Sequence, residues 1–252
     1  MIHLVQPRGF WGLPNLSPAC MKLETWLRLA GIPYQETPLD LARAPKGKVP
    51  YVHLEDGTLL GDSTLIIEHL KATRGKEPDA SLTAEQRAIS LAFRRMMKED
   101  FYWVIVHTRY REERNWERYR QAIIDMLDGV PQEQQEILAD MYRKRILEQL
   151  QGQGMGRHTA DEVHRLGIAD VAAVSDFLGD KPFLFGEEPT TADATVSAYL
   201  ANQLQVPLEC PVKDFGLSRD NLVRYLQRIR ARLFPELCCK ESSPPGCVSC
   251  IE

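Results

Sequence analysis

From about residue 82 onward, every strongly patterned segment of this chain has the 3.6-residue spacing of a helix, whereas the first 75 residues alternate between strand-like and helix-like runs. A chain that switches period once and never switches back calls for a small α/β layer followed by a helical bundle. In the alternating part, "IHLVQ" is a short apolar strand ended by Pro7. Between Ser17 and Ala30, Met21, Thr25 and Leu29 recur at helical spacing, Trp26 and Ala30 widen the stripe, and Gly31 supplies a stop. "YQETPLD" alternates, "PYVHLED" and "TLLG" flank an Asp56-Gly57 hairpin turn, and "DSTLIIEHLKATRG" reads as a capped helix. The predicted order is strand, helix, strand, loop, strand, strand, helix, a thioredoxin-like layout with its middle helix shortened or lost.

"GKEPDAS", residues 75–81, is a linker. After it, "LTAEQRAISLAFRRMMKEDFYWVIVHTRYRE" predicts one long helix of about 30 residues, and further helices are expected near 116–128, 132–151, 160–178, 190–204 and 218–232. With 252 residues there is enough chain for two cores. The expected division is residues 1–75 as the thioredoxin-like α/β domain, 82–237 as an all-α domain, and 238–252 as a flexible cysteine-rich tail.

A formal charge of -4 gives no reason to expect a nucleic-acid partner. The longest apolar run, "FYWVIV" at 101–106, falls far short of the ~20 residues a membrane-spanning helix needs. The amino terminus has neither a basic leader nor a long apolar region, so a cytoplasmic location is expected. Four of the six cysteines (Cys238, Cys239, Cys247, Cys250) crowd the last fifteen residues, a distribution unlike a disulfide framework. No histidine stands near them, and no metal site is expected.

The chemistry concentrates at "LSPACMKLETW", residues 16–26. A redox protein of this layout would place a nucleophilic cysteine where Ser17 stands, and only Cys20 remains. Ser17 followed by Pro18 is also an ordinary helix start, cap and first position. The two roles are compatible. A helix amino end stabilises an anion by about 0.3–1 kcal/mol, up to ~2 when partly buried, and a hydroxyl donor to a charged sulfur adds roughly 1.5–3 kcal/mol. Together these lower a thiol by about 1.5–3 pKa units, from ~8.5 towards neutrality. A serine here can serve a thiol brought by a ligand, or act as the cap alone.

"GDS" at 61–63 opens the second helix; Asp62 is an N-cap, and Ser63 with its N–H suits an anion. "TTAD" forms a capping box from Thr190 and Asp193 at the start of a helix that is apolar on nearly every side, which marks a structural role. "QGQGMG" lies between helical segments and lacks a following Lys-Ser/Thr, so it is not a phosphate loop. Trp11, Tyr102, Trp103 and His107 are either core residues or the lining of an apolar pocket between the two parts.

"SPAC", "KGKVPYV", "GDSTLIIEHL" and "FGEEPTTADATVSAYL" together resemble the glutathione transferase superfamily over nearly the whole chain. "WGLPNLSPACMKLETWLRLAGIPY", "QGQGMGRH" and "LGDKPFLFG" resemble its failed-axon-connections branch, related to metaxins, which includes members better known as scaffolds. The resemblance implies that Ser17 activates the thiol of glutathione as co-substrate. It also implies a cis bond between Val49 and Pro50, with the Val49 backbone pairing to the cysteinyl part and Lys48 or Lys46 meeting the glycyl carboxylate. Asp62 and Ser63 would hold the γ-glutamyl group, and Trp11 and Tyr102 would line the pocket for a small hydrophobic electrophile. A homodimer is implied by the same likeness. The other functions it permits are a non-catalytic scaffold or glutathione sensor, and a glutathione-dependent peroxidase.

Overall fold

Four strands, β1 (Ile2–Val5), β2 (Tyr34–Thr37), β3 (Tyr51–His53) and β4 (Leu59–Gly61), form one sheet in the order β2-β1-β3-β4. The computed structural model describes residues 1–127 and 129–238; Cys239, Cys247, Cys250 and nearly all of the expected tail lie outside them. β1 runs parallel to β2, which demands a crossover, and α1 (Pro18–Leu29) provides it. β3 is antiparallel to both β1 and β4. α2 (Ser63–Arg74) comes after β4, and Leu23, Trp26, Leu27, Ile66, Ile67 and Leu70 from the two helices bury Ile2, Leu4 and Val52 of the sheet.

In the register of this sheet Val5 pairs with Tyr51, and Tyr51 with Gly61. The end of β1, the start of β3 and the end of β4 therefore share one end of the sheet. The chain leading to Ser17, the Val49-Pro50 segment and Asp62-Ser63 all begin or finish there.

The helical part contains α3 (Ala84–Arg95), α4 (Tyr102–Val106), α5 (Glu113–Asp125), α6 (Gln132–Gln153), α7 (Ala160–Leu178), α8 (Thr191–Leu204), α9 (Pro211–Leu217) and α10 (Asp220–Leu233). The single long helix expected after the linker is interrupted by π-helical turns at Met96–Phe101 and His107–Arg111, on either side of α4. Each π turn adds a residue to the repeat and rotates the downstream helix by roughly 100°. Consequently His107, Thr108, Arg109 and Tyr110 are all buried in succession, which an undisturbed surface helix does not allow. α5 starts three residues earlier than its periodicity suggests, and α9, too short to show a repeat, is an addition to the predicted set. Close packing is set in part by Gly167, where an added Cβ would stand 2.7 Å from Val104 Cγ1 and 3.0 Å from Val212 Cγ2.

Every residue of α8 is buried, as its apolar circumference predicts. Its amino end therefore cannot be satisfied by water. Asp193, fully buried, accepts from the N–H of Thr190 (2.7 Å) and Leu184 (2.9 Å) and from the hydroxyls of Thr190 (2.8 Å) and Tyr225 (3.1 Å). Burial raises its carboxyl above the ordinary range, against the pull of these donors. Asp79, from the linker, accepts from Thr191 N at 2.8 Å and pairs with Lys71 at 2.6 Å, while Trp26 of α1 donates to Thr191 Oγ1 at 3.2 Å. One helix end thus ties the sheet layer, the linker and the bundle together.

Asp193→Ala leaves several buried donors without an acceptor, each costing about 1–3 kcal/mol. The variant should lose roughly 3 kcal/mol or more of unfolding free energy in urea titrations; a loss below about 1 kcal/mol would show the box to be incidental.

Candidate functional site

Ser17 caps α1 in extended conformation, with Pro18 fixed at the first helical position. Its Oγ accepts from Cys20 N at a long 3.4 Å, its own N–H donates to Asn15 Oδ1 at 2.9 Å, and the residue is half-buried. The Ser17 side chain also lies within hydrogen-bonding reach of the Cys20 thiol. The Val49-Pro50 bond is cis, Val49 is half-buried, and Lys46 and Lys48 are exposed. Asp62 adopts φ 77°, an uncommon value for a non-glycine residue, and caps α2 through Oδ1, which accepts from Thr64 N (2.8 Å) and Leu65 N (3.3 Å). Its Oδ2 faces Lys98 Nζ at 3.4 Å. Burial works to raise the Asp62 carboxyl, but the two amides and Lys98 outweigh it and hold the group below its usual range. Ser63 is 4 % exposed at the first position of α2.

A family model described as glutathione S-transferase N-terminal domain matches residues 18–115, and one described as glutathione S-transferase, C-terminal domain, matches residues 167–229. The chain belongs to the glutathione S-transferase family. It is 37% identical to the isoprene-epoxide glutathione S-transferase of Rhodococcus sp. (strain AD45), over 87% of this chain and 94% of that one. It is 32% identical to failed axon connections of Drosophila melanogaster, over 90% of this chain and 57% of that protein. Among solved structures, a glutathione S-transferase from Rhodospirillum rubrum F11 superposes with a TM-score of 0.61 at 20% identity, covering 97% of this chain and 95% of that one.

Cys20 of this transferase-family chain is fully buried, and burial pushes its thiol up to about 12, with Ser17 opposing the rise and Glu24 adding to it. It is no nucleophile near neutral pH. Trp11, with φ 51°, packs on Phe10 and, at 6.0 Å between ring centroids, on Tyr119. Tyr102 meets Trp103 and Tyr199 instead, so the two aromatic residues expected to line one pocket belong to different ring contacts. His107 is 3 % exposed and faces Glu112 rather than the sheet end.

Two residues escape sequence reasoning. Lys22 of α1 is buried, donates to Thr64 Oγ1 at 2.9 Å and joins α1 to the first turn of α2. Burial, with Lys98, Arg94 and Arg95 nearby, pushes its ammonium down to about 7, and Asp62 only partly offsets this. The start of α2 thus gathers several cations around Lys22; Asp62 lies among them, and Glu99 pairs with Lys98 and Arg95. Arg109, also buried, donates to Leu16 O (2.5 Å) and to Asn202 O (2.6 Å) and Oδ1 (2.8 Å). Asn202 Nδ2 reaches Asn15 O at 3.2 Å, and Asn15 Nδ2 reaches Pro7 O at 2.6 Å. The loop that delivers Ser17 is held from the helical side by this chain of contacts.

Arg109→Met removes a charged donor shared among buried carbonyls and should cost roughly 2–4 kcal/mol of stability. Hydrogen exchange of the amides between Ser17 and Met21 should accelerate more than that of α10; equal acceleration in both would mean the clamp is not local to the loop.

Proposed function

We propose that this protein is a glutathione transferase in which Ser17 and the amino end of α1 keep the thiol of bound glutathione ionised for attack on a small apolar electrophile. The observation that carries the reading is Ser17 Oγ at that helix end, half-buried, beside a protein thiol that is itself locked in the core. Glutathione brings the sulfur that the chain lacks there. Val49, entering β3, offers its backbone to the cysteinyl part as an added strand, and Lys48 offers a cation to the glycyl carboxylate. Ser63 and the α2 amino end, with Lys22 and Lys98 beside them, suit the γ-glutamyl carboxylate, while Asp62 suits its ammonium.

The isoprene-epoxide relative suggests small epoxides as the electrophile class. In that reaction the thiolate forms a C–S bond to one ring carbon, the C–O bond of the same carbon breaks, and the alkoxide takes a proton from water. Trp11 and Tyr102 are the aromatic residues proposed to meet such a substrate. The same reading carries a cytoplasmic homodimer, for which Leu65 and Leu91, exposed on α2 and α3, offer apolar surface.

A second reading, a non-catalytic partner-binding member, is favoured by the 32% identity to failed axon connections and by Ile137, Leu138 and Met141 exposed on α6. Calorimetric titration with glutathione separates the readings: binding that is lost in Ser63→Ala, with turnover of an epoxide, supports the transferase, and binding without turnover of epoxides or hydroperoxides supports a sensor.

Ser17→Ala should lower kcat by about one to three orders of magnitude with a small change in glutathione affinity, and thiolate absorbance of the complex should then appear only at higher pH. An unchanged rate removes Ser17 from the reaction. The Lys22 ammonium sets a pH signature. A carboxylate placed beside it raises its proton affinity, so binding takes up a proton above its unbound value of about 7. Affinity for S-methylglutathione, which has no thiol to titrate, should therefore fall from pH 7 upward, and Lys22→Met should flatten that slope. A slope identical in the variant would place the carboxylate elsewhere.

A further inference from the structure

Away from the sheet end, three potential metal ligands converge where the second π turn meets α5 and α7. His107 opens the π turn, Glu112 comes directly after it in extended conformation as the cap of α5, and His164 lies in the first half of α7. Glu112 Oε1 is 3.0 Å from His164 Nε2 and 3.6 Å from His107 Nδ1, and the three ligand atoms all lie within 4.8 Å of one another. Ligand atoms bound tetrahedrally to zinc at about 2.0–2.2 Å stand roughly 3.3–3.5 Å apart, which these separations bracket.

Two further observations point to a ligand. His107 is 3 % exposed, and its buried Nδ1 makes no hydrogen bond within 3.5 Å, Glu112 Oε1 standing just outside at 3.6 Å. Buried ring nitrogens are ordinarily satisfied, and an ion at the centre of the triad would satisfy this one. Glu112 is also oriented by its other oxygen: Asn115 Nδ2 donates to Oε2 at 3.1 Å and to Glu209 O at 2.8 Å, while Asn115 Oδ1 accepts from Glu209 N at 3.1 Å. Such an outer hydrogen bond fixes a ligating carboxylate and leaves Oε1 for the two imidazoles. The side chains of His164 and Glu112 are 13% and 21% exposed, so the triad has a solvent-facing side through which an ion can enter.

We propose that His107, Glu112 and His164 form a site for one zinc-like divalent cation, with a water in the fourth position, that staples the π turn and α5 to α7. Two imidazoles and one carboxylate suit zinc or a neighbouring transition metal better than calcium or magnesium, which prefer all-oxygen sites. The site is separate from the proposed glutathione chemistry and does not depend on it.

The tail cysteines are competing zinc ligands, so the test uses the full chain carrying Cys238→Ser, Cys239→Ser, Cys247→Ser and Cys250→Ser. After dialysis against a chelator, calorimetric titration with Zn²⁺ should show one equivalent bound, and Zn²⁺ should raise the melting temperature. Glu112→Gln and His164→Gln should each weaken binding by about 100-fold or more and abolish the thermal shift. Co²⁺ added to the chain without any ligand substitution should give the intense visible bands of a four-coordinate site, a readout that does not require the variants to fold. Absence of Zn²⁺ binding at micromolar concentration, equal binding in both variants, or a Co²⁺ spectrum like that of the aqueous ion would overturn the proposal.

Discussion

Helix α8 is enclosed on all sides, and the rest of the molecule is arranged around the cost of enclosing it. A buried helix gains packing along its whole surface but exposes polar backbone at its two ends, where no water is available to pair with it. At the amino end that cost is offset by Asp193 and Thr190 from the helix itself and its cap and by Asp79 from the linker. Towards the carboxyl end Asn202 turns its amide to Asn15 O and its carbonyl to Arg109. These are the contacts that fix the Ser17 loop. The requirement that α8 be satisfied therefore also positions the candidate catalytic group, through a link between residues 187 positions apart in sequence.

The sheet contributes the other half of the site through register alone. A one-residue slip between β3 and β4 would break the pairing of Tyr51 with Gly61 and of Val52 with Leu60, and it would displace Asp62 and Ser63 from the Val49 segment. Burial of Tyr51 and Val52 therefore locks the spacing of a surface site. Lys22 answers to the same constraint: it is buried where α1 meets α2, and its charge is disfavoured there unless an anion arrives.

Much of this was readable from the chain. The strand–helix alternation up to residue 75, the Asp56-Gly57 hairpin and the Thr190–Asp193 box each rest on local chemistry, and local chemistry is what a sequence carries. The π turns were not readable, because "MMKEDF" and "HTRYR" have no composition that separates π from α geometry. Nor was α9, whose seven residues span barely two turns. Nothing in its neighbourhood sets Lys22 apart from a solvated charge, and Arg109 stands in the run "RYREER", whose charged neighbours suggest a surface. His107 and His164 are 57 positions apart, and only the fold brings them to one carboxylate. In each case the missing information was long-range: which face turns inward is decided by packing, not by the residue.

The distinction between an enzyme and a partner-binding member of this family cannot come from the fold, since both share it. It has to come from groups that packing alone does not require. Asp193, Trp26 and Arg109 would be kept by any chain that needs this architecture, catalytic or not. A helix cap at position 17 is likewise structural, and an aspartate or asparagine would cap α1 as well as the serine does. Lys22 is different. Burying an amine beside Lys98, Arg94 and Arg95 weakens the folded state when nothing else is bound, and a methionine would fill the same space without that penalty. In a purely structural protein Lys22 contributes the hydrogen bond to Thr64 that joins α1 to α2, whereas in the proposed glutathione-binding one it also offers a carboxylate site. The cations gathered at the start of α2, more than the serine, are therefore where the proposed carboxylate site can be told from a merely structural arrangement.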